Sequence, residues 1–381
     1  MISAVSEKAT EQQRAPRKQE WMPRVWQGCD FFAWLRLLVR NRFAVHWSCW
    51  YIAAIATVVS FGHTVLRYVQ QGLYGRRVAR TPIPEAPLFI IGHWRTGTTF
   101  LHEMLILDDR HTYANTYQCF EPNHFLLTEN LITRWMPFLM PARRPMDNMA
   151  AGWDRPQEDE FALCMMGQPS TYLTIAFPNH PPQYAEYLDL RGLSSQALSR
   201  WKRDFLRFIK HLNYKDPRRL VLKSPPHTTR IRVLLELFPD ARFVHIMRDP
   251  YVVFPSTVKM WKALYRTHAL QRPTFAGLEE YVFTTFNRLY EGLELDRALV
   301  RPSRFYEVRY EDLVQDPIGQ MRALYERLEL GGFEKLLPRL NEYVAKTVGY
   351  ETNRYKLTNE LRAEITRRWG EVIRRYGYEE S

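Results

Sequence analysis

The chain has 381 residues, of which 46% are apolar, and its 53 Lys and Arg residues against 41 Asp and Glu residues give a formal net charge of +12. A chain of this length and composition buries a substantial core, so the sequence predicts a globular, enzyme-sized protein with two domains or one large α/β domain with additions. The positive charge favours anionic partners such as nucleic acid, a membrane surface, an anionic polymer or a phosphorylated cofactor, and charge alone does not choose among them.

Cysteine and histidine usage excludes a disulfide framework and the familiar metal motifs. The four cysteines form no C-x-x-C pair and are too few to cross-link a chain of this length, which favours a reducing compartment and hence the cytoplasm. The 11 histidines form neither H-E-x-x-H nor a Cys/His cluster, so the sequence predicts no metal site.

The N-terminal part is expected to be a disordered tail followed by helices. Residues 1–24 are polar, mixed in charge and without a signal-peptide pattern, and residues 25–80 are helical in pattern. The segment 43–66 carries no Asp, Glu, Lys or Arg and is long enough to span a bilayer. Its histidines and one-sided tryptophan cluster fit two other interpretations equally well. These are an interfacial helix that attaches residues 31–67 to the inner face of a membrane, and a helix packed on the catalytic domain.

A Pro- and Arg-rich linker leads into residues 85–381, where strands and helices alternate. Apolar runs with strand character, each followed by a helix-like segment, occur at residues 88–91, 220–222, 242–247 and 305–309. Such runs are typical of a parallel sheet covered by helices on both faces, whose strand ends meet at one ligand-binding edge. Residues 110–215, rich in aromatic residues and proline, interrupt the alternation and are predicted to be an insertion that shapes the substrate site.

Residues 92–99, GHWRTGTT, follow the first strand and have the outline of a phosphate-binding loop. Gly92 and Gly97 are spaced as in G-x-x-x-x-G-K-[ST], but Thr98 stands in the lysine position and the positive charge has moved to Arg95. Such a loop suits one phosphate-like group better than a nucleoside triphosphate, with Arg95, backbone amides and threonine hydroxyls as donors. The hydroxyls belong to Thr96, Thr98 and Thr99.

A second arginine motif strengthens this interpretation. In residues 241–261, ARFVHIMRDPYVVFPSTVKMW, Arg248 ends an apolar strand, Asp249 starts a helix, and Ser256 lies further along that helix. An arginine at a strand end and a serine on the next helix can converge on one phosphate. An Arg–Asp pair that caps the helix is the structural alternative.

Together the two motifs resemble the cofactor-binding motifs of sulfotransferases that use 3′-phosphoadenosine-5′-phosphosulfate (PAPS), in particular the carbohydrate and tyrosylprotein enzymes. The resemblance covers residues 87–380 and implies a P-loop NTPase-like three-layer α/β fold with a central parallel sheet, here preceded by the N-terminal helical extension. It implies transfer of a sulfuryl group, without a metal, to a hydroxyl or amine of a small-molecule or glycan acceptor, carbohydrate or lipid-linked, and no nucleic-acid partner.

The resemblance also assigns the cofactor contacts. The residues implied for the 5′-phosphosulfate are Arg95, Thr96, Gly97, Thr98 and Thr99. Those implied for the 3′-phosphate are Arg248 and Ser256, and a late basic loop over the cofactor would include Arg354 and Lys356.

Two further segments resemble the family's catalytic elements. Glu121, in CFEPNHF, matches a segment whose glutamate is the catalytic base of heparan-type enzymes, and Lys223, in LVLKSPPHT, matches a strand-end lysine near the transferred group. Sulfuryl transfer resembles loose in-line phosphoryl transfer, so Lys223 and Arg95 would stabilise charge on the departing phosphate oxygen while the base takes the acceptor proton. Histidines beside the motifs leave a histidine base open, namely His93, His124 and His227.

The acidic residues 158–160 have two interpretations, and the sequence leaves two other functions open. We interpret these acids as the first turn of a helix capped by Asp154, where the helix dipole favours carboxylates, with substrate contact as the alternative. A kinase or nucleotide hydrolase with a degenerate P-loop is disfavoured by Thr98 in the lysine position. A non-catalytic, membrane-associated protein that binds polyanions is motivated by residues 31–67 and the net charge.

Overall fold

The computed structural model describes residues 25–136, 151–347 and 355–379. The strands of these residues form one parallel five-stranded sheet in the order β2-β3-β1-β4-β5. They are β1 (Leu88–Ile91), β2 (His111–Tyr113), β3 (Arg219–Lys223), β4 (Arg242–Met247) and β5 (Phe305–Arg309). The predicted α/β fold with a central parallel sheet is confirmed. The edge strand β2 was missed by the sequence pattern because it is short and has no apolar run.

Central strand β1 shows why the core strands are apolar throughout. All of its residues are buried. Phe89 and Ile91 pack into one apolar cluster, and Leu88 and Ile90 into a second cluster on the opposite face. Successive side chains of a strand point to opposite faces, so a strand covered by helices on both sides has to be apolar at every position.

The helices cover both faces of this sheet and form the N-terminal extension. The α-helices of the described residues are α1 (Phe31–Arg40), α2 (Trp50–Arg80), α3 (Thr98–Leu105), α4 (Thr116–Phe120), α5 (Phe125–Trp135), α6 (Asp159–Met165), α7 (Ser195–Lys215), α8 (Ile231–Leu237), α9 (Pro250–His268), α10 (Leu278–Arg297), α11 (Tyr310–Gln315), α12 (Pro317–Arg327), α13 (Phe333–Thr347) and α14 (Asn359–Arg375).

The long helix α2 begins later than the apolar segment 43–66 and ends well after it. Arg42 and Phe43, at the start of that segment, adopt positive φ angles of 51° and 54° and form a turn, so the helix excludes them. Helix and preceding turn, Trp47–Arg80, are long and apolar enough to cross a membrane by length and composition alone.

One side of α2 packs against the protein through polar contacts. The Thr64 hydroxyl accepts from the Phe31 amide at 2.9 Å, and the Gln70 amide group donates to the Asn123 carbonyl oxygen at 3.0 Å. Arg67 forms an ion pair with Asp30 at 3.0 Å. The opposite side of the helix is apolar and exposed over Ile55, Val58, Phe61, Val65, Tyr68 and Leu73.

Candidate active site

The two arginine motifs meet at the carboxyl edge of the sheet. Residues 92–97 connect β1 to α3, and Arg248 follows β4, which pairs with β1. The Arg95 Nε–H donates to Ser256 Oγ at 3.0 Å, and Arg248 Nη1 donates to the Arg95 carbonyl oxygen at 3.2 Å. The structure therefore brings these three residues into direct contact, although they lie far apart in sequence.

Gly97 lets the anion-binding loop pack closely against the ring of Tyr310. Its φ is 98°, and a Cβ at this position would lie 2.3 Å from the Tyr310 ring, so another residue would strain the backbone and displace the ring. The same ring lies beneath the Arg248 guanidinium, 4.2 Å from the ring centroid. The glycine thus lets the loop pack against the tyrosine that supports Arg248.

The threonines of the loop have two different placements. Thr96 is buried, and its hydroxyl donates to the His93 carbonyl oxygen at 2.7 Å, which closes the loop on itself. Thr98 and Thr99 begin α3, where free backbone amides and the positive end of the helix favour an anion.

Lys223 ends β3 next to this loop. It pairs in register with Ile90 of β1, and its side chain is almost fully buried. Its ammonium lies 2.8 Å from Glu158 Oε1. The second Glu158 oxygen accepts from the Tyr172 hydroxyl, and the Trp94 indole N–H donates to that hydroxyl at 3.0 Å. A chain of polar contacts therefore connects Lys223 to the anion-binding loop.

Residues 158–160 pair with basic residues at the end of β3 and in the segment that follows it. His227 Nε2 lies 2.6 Å from Asp159, and Arg230 donates to both oxygens of Glu160 at 2.6 and 3.2 Å. Burial acts to raise the pKa of Asp159, but the charge and hydrogen bond of His227 outweigh it and keep the pKa below its usual value.

The interpretation of these acids as a helical first turn was incomplete. Helix α6 does begin at Asp159, but the residue in the N-cap position is Glu158 rather than Asp154. The carboxylates point to long-range basic partners instead of serving the helix alone. The signal that could have found them is the match of three adjacent acids with Lys223, His227 and Arg230 in KSPPHTTR.

Glu121 lies in the segment that leaves the sheet after β2, directly after α4. Its side chain is one-fifth exposed, and Oε2 is 3.1 Å from both His63 Nδ1 and His124 Nε2. The close contacts of this predicted base are thus with two histidines, whereas Glu158 makes the ion pair with Lys223.

Two of the histidines predicted as alternative bases are buried, and one of the two predicted basic-loop residues is exposed. Burial lowers the pKa of His93 to about 3, so its ring is neutral at physiological pH. The His227 side chain is fully buried against Asp159. Lys356 is exposed in the segment before α14, and Arg354 lies outside the described residues.

Comparisons with known proteins agree in sequence and in fold. A sequence model described as the sulfotransferase family matches residues 87–335. Proteins from Mycobacterium bovis and Mycobacterium tuberculosis, named omega-hydroxy-beta-dihydromenaquinone-9 sulfotransferase Stf3, are 53% identical over 366 residues, which cover 96% of this chain and 94% of each relative.

Two solved structures have the same fold. Sulfotransferase STF9 from Mycobacterium avium matches with a TM-score of 0.63 at 22% identity, over 84% of both chains. Sulfotransferase STF1 from Mycobacterium tuberculosis H37Rv matches with a TM-score of 0.58 at 18% identity, over 90% of this chain and 92% of that one.

Proposed function

Because this chain belongs to the sulfotransferase family, it is an enzyme that transfers a sulfuryl group, and we propose that it moves this group from PAPS to the hydroxyl of a lipid-like acceptor. The observation that supports the proposal is the contact of Arg95 with both Ser256 and Arg248, which brings the two arginine motifs together. We infer that the motifs form two adjoining anion sites. A nucleotide with phosphates at its 5′ and 3′ ends has one group for each site.

The first anion site would hold the 5′-phosphosulfate. Arg95 and the amides at the start of α3 supply positive charge and backbone donors there, together with the hydroxyls of Thr98 and Thr99. Thr96 supports the loop from within. Arg248 and Ser256 would hold the 3′-phosphate, with Arg354 and Lys356 covering the nucleotide as the family resemblance implies.

We assign charge stabilisation in the reaction to Lys223. Its ammonium, at a strand end beside the loop, would stabilise charge that grows on the departing phosphate oxygen. In doing so it exchanges its present partner, Glu158, for the bound nucleotide.

The acceptor proton requires a base, and two carboxylates qualify. We place Glu158 in this role because the partner exchange of Lys223 releases a carboxylate next to the transferred group. Glu121 stays a prediction from the family resemblance, held 3.1 Å from each of two histidines.

Calorimetry with adenosine 3′,5′-bisphosphate, the product nucleotide, tests the cofactor assignment. We expect the protein to bind this nucleotide and the Arg248→Ala variant to bind it about 10–100-fold more weakly, since a charge-assisted hydrogen bond is worth about 1.5–3 kcal/mol. The matched control is Arg327→Ala, an exposed arginine at the end of α12. Folded protein that does not bind the nucleotide would contradict the assignment of PAPS as the donor. Magnesium-dependent turnover of ATP would favour the kinase hypothesis.

A lipid-like acceptor is supported by the named activity of the mycobacterial relatives and by the exposed apolar side of α2. We infer that this side lies in the membrane interface, because the opposite side of α2 is tied to the protein by polar contacts. Arginines at the ends of both helices of the extension, Arg40 on α1 and Arg80 on α2, favour an anionic membrane surface.

Binding to vesicles tests the membrane proposal. The double variant Val58→Glu/Phe61→Glu should reduce sedimentation with anionic phospholipid vesicles at least about tenfold, because each side chain contributes apolar area and each carboxylate is repelled. Leu295→Glu on α10, a position of similar exposure, is the control. Equal sedimentation of both variants and wild type would remove α2 as the membrane contact.

A further inference from the structure

Three potential metal ligands converge between α2 and the start of α5. His63 on α2, Glu121 after α4 and His124 before α5 bring one ligand atom each to the same point. His63 Nδ1 and His124 Nε2 are 2.5 Å apart, and each lies 3.1 Å from Glu121 Oε2. The two imidazole rings are nearly parallel, with an interplanar angle of 4° and centroids 4.7 Å apart, so they meet at their nitrogen edges.

Hydrogen bonding accounts for only part of this arrangement. The buried Glu121 Oε2 accepts no hydrogen bond from either ring, although both ring nitrogens are close. A proton between His63 Nδ1 and His124 Nε2 satisfies these two nitrogens but leaves the carboxylate oxygen without a donor. A metal ion in place of that proton would be bound by all three atoms.

The surroundings of His124 prepare its Nε2 atom as a ligand. The Thr128 hydroxyl donates to the His124 carbonyl oxygen at 3.1 Å, so its contact of 2.9 Å with His124 Nδ1 has the ring N–H as donor. The Tyr117 hydroxyl supports Thr128 by donating to it at 2.8 Å. With the proton on Nδ1, the Nε2 lone pair faces His63 and Glu121, which is the arrangement that orients histidine ligands in metal sites.

We propose that His63, Glu121 and His124 bind a divalent transition metal ion, with Zn²⁺ as the best fit. Two imidazole nitrogens and one carboxylate oxygen are a common zinc ligand set, which leaves a fourth position for water. Ligand atoms of tetrahedral zinc lie roughly 3.3 Å apart for bond lengths of about 2.0–2.1 Å. The Glu121 contacts already have nearly this spacing, and the ring nitrogens reach it by separating less than about 1 Å while the rings turn both lone pairs toward the ion.

The location indicates a structural role for the metal. His63 belongs to the N-terminal extension, while Glu121 and His124 belong to the segment after β2. An ion bound by all three would fasten α2 to the catalytic domain. With charge stabilisation placed on Lys223 and the base on Glu158, as proposed above, the ion takes no part in sulfuryl transfer.

Metal binding by the full-length protein tests the proposal. After treatment with a chelator, the wild-type protein should take up one equivalent of Zn²⁺ in calorimetry, show the visible absorption of four-coordinate Co²⁺, and gain a few degrees in Tm. His63→Ala should weaken Zn²⁺ binding by at least about 100-fold. Thr128→Val, which removes only the orienting hydroxyl, should weaken it by about 10–100-fold.

The control is His46→Ala, which removes a histidine of the same N-terminal region outside the cluster and should bind Zn²⁺ like wild type. Circular dichroism establishes that each variant is folded, and His63→Gln replaces His63→Ala if the alanine variant unfolds. The proposal is overturned if wild-type protein takes up no Zn²⁺, or if the His63 variants bind as tightly as His46→Ala. The histidine pair then shares a proton.

Discussion

Replacing Lys223 by methionine is expected to lower kcat for sulfuryl transfer from PAPS by about 10²–10³-fold, the range seen when one donor to a developing charge is removed. The ammonium ends β3 beside the anion-binding loop, and methionine fills similar space without charge. Steady-state kinetics with a long-chain alcohol acceptor measures the effect. The matched control is Lys202→Met on α7, whose ammonium pairs with Glu236.

Stability has to be separated from catalysis in this variant. Loss of Lys223 leaves Glu158 largely buried without its ion partner, which costs about 3–5 kcal/mol of the free energy of unfolding. The double variant Lys223→Met/Glu158→Gln removes this unpaired charge and should recover part of the stability but none of the activity. A kcat equal to that of Lys202→Met would show that Lys223 has no part in the reaction.

Glu158→Gln is expected to lower kcat by about 10²–10⁴-fold, the contribution of a general base, with a much smaller effect on the affinity for adenosine 3′,5′-bisphosphate. The amide keeps the shape of the side chain and a hydrogen-bond acceptor for Tyr172, but it cannot take a proton. Kinetics and calorimetry on the same protein preparation measure the two quantities.

Glu121→Gln is the comparison that decides between the two carboxylates. If its loss of kcat exceeds that of Glu158→Gln, the base is Glu121, as the family resemblance predicts. His63→Ala separates the two roles proposed for Glu121, because it removes a metal ligand and keeps the carboxylate.

The core of the fold could be predicted because its signal is local. Strands β1, β3, β4 and β5 are runs of consecutive apolar residues, and burial on both faces requires that pattern. The edge strand β2, with the sequence His-Thr-Tyr, pairs with β3 and has no second partner among the described strands. Backbone hydrogen bonds to a neighbour hold it in the sheet, and side-chain pattern does not reveal them.

The anion-binding residues could also be named from the sequence, since Arg95 and Arg248 each lie at the end of an apolar strand in a recognisable motif. The carboxylate that faces Lys223 could not. Glu158 looks like an ordinary helix-start acid, and its ion pair joins residues that are 65 positions apart. No local propensity encodes such a pair.

Residue order specifies the parallel α/β sheet, the strand-end loop with its arginine, and a second arginine motif able to take another phosphate, because periodicity and short motifs are properties of neighbouring residues. Packing of the whole fold sets which side chains meet. It joined Arg95 to Ser256, paired Lys223 with Glu158, and gathered His63, Glu121 and His124 from separate segments. Such contacts depend on how helices and strands pack in three dimensions, where distance along the chain no longer limits which charges and lone pairs are brought together.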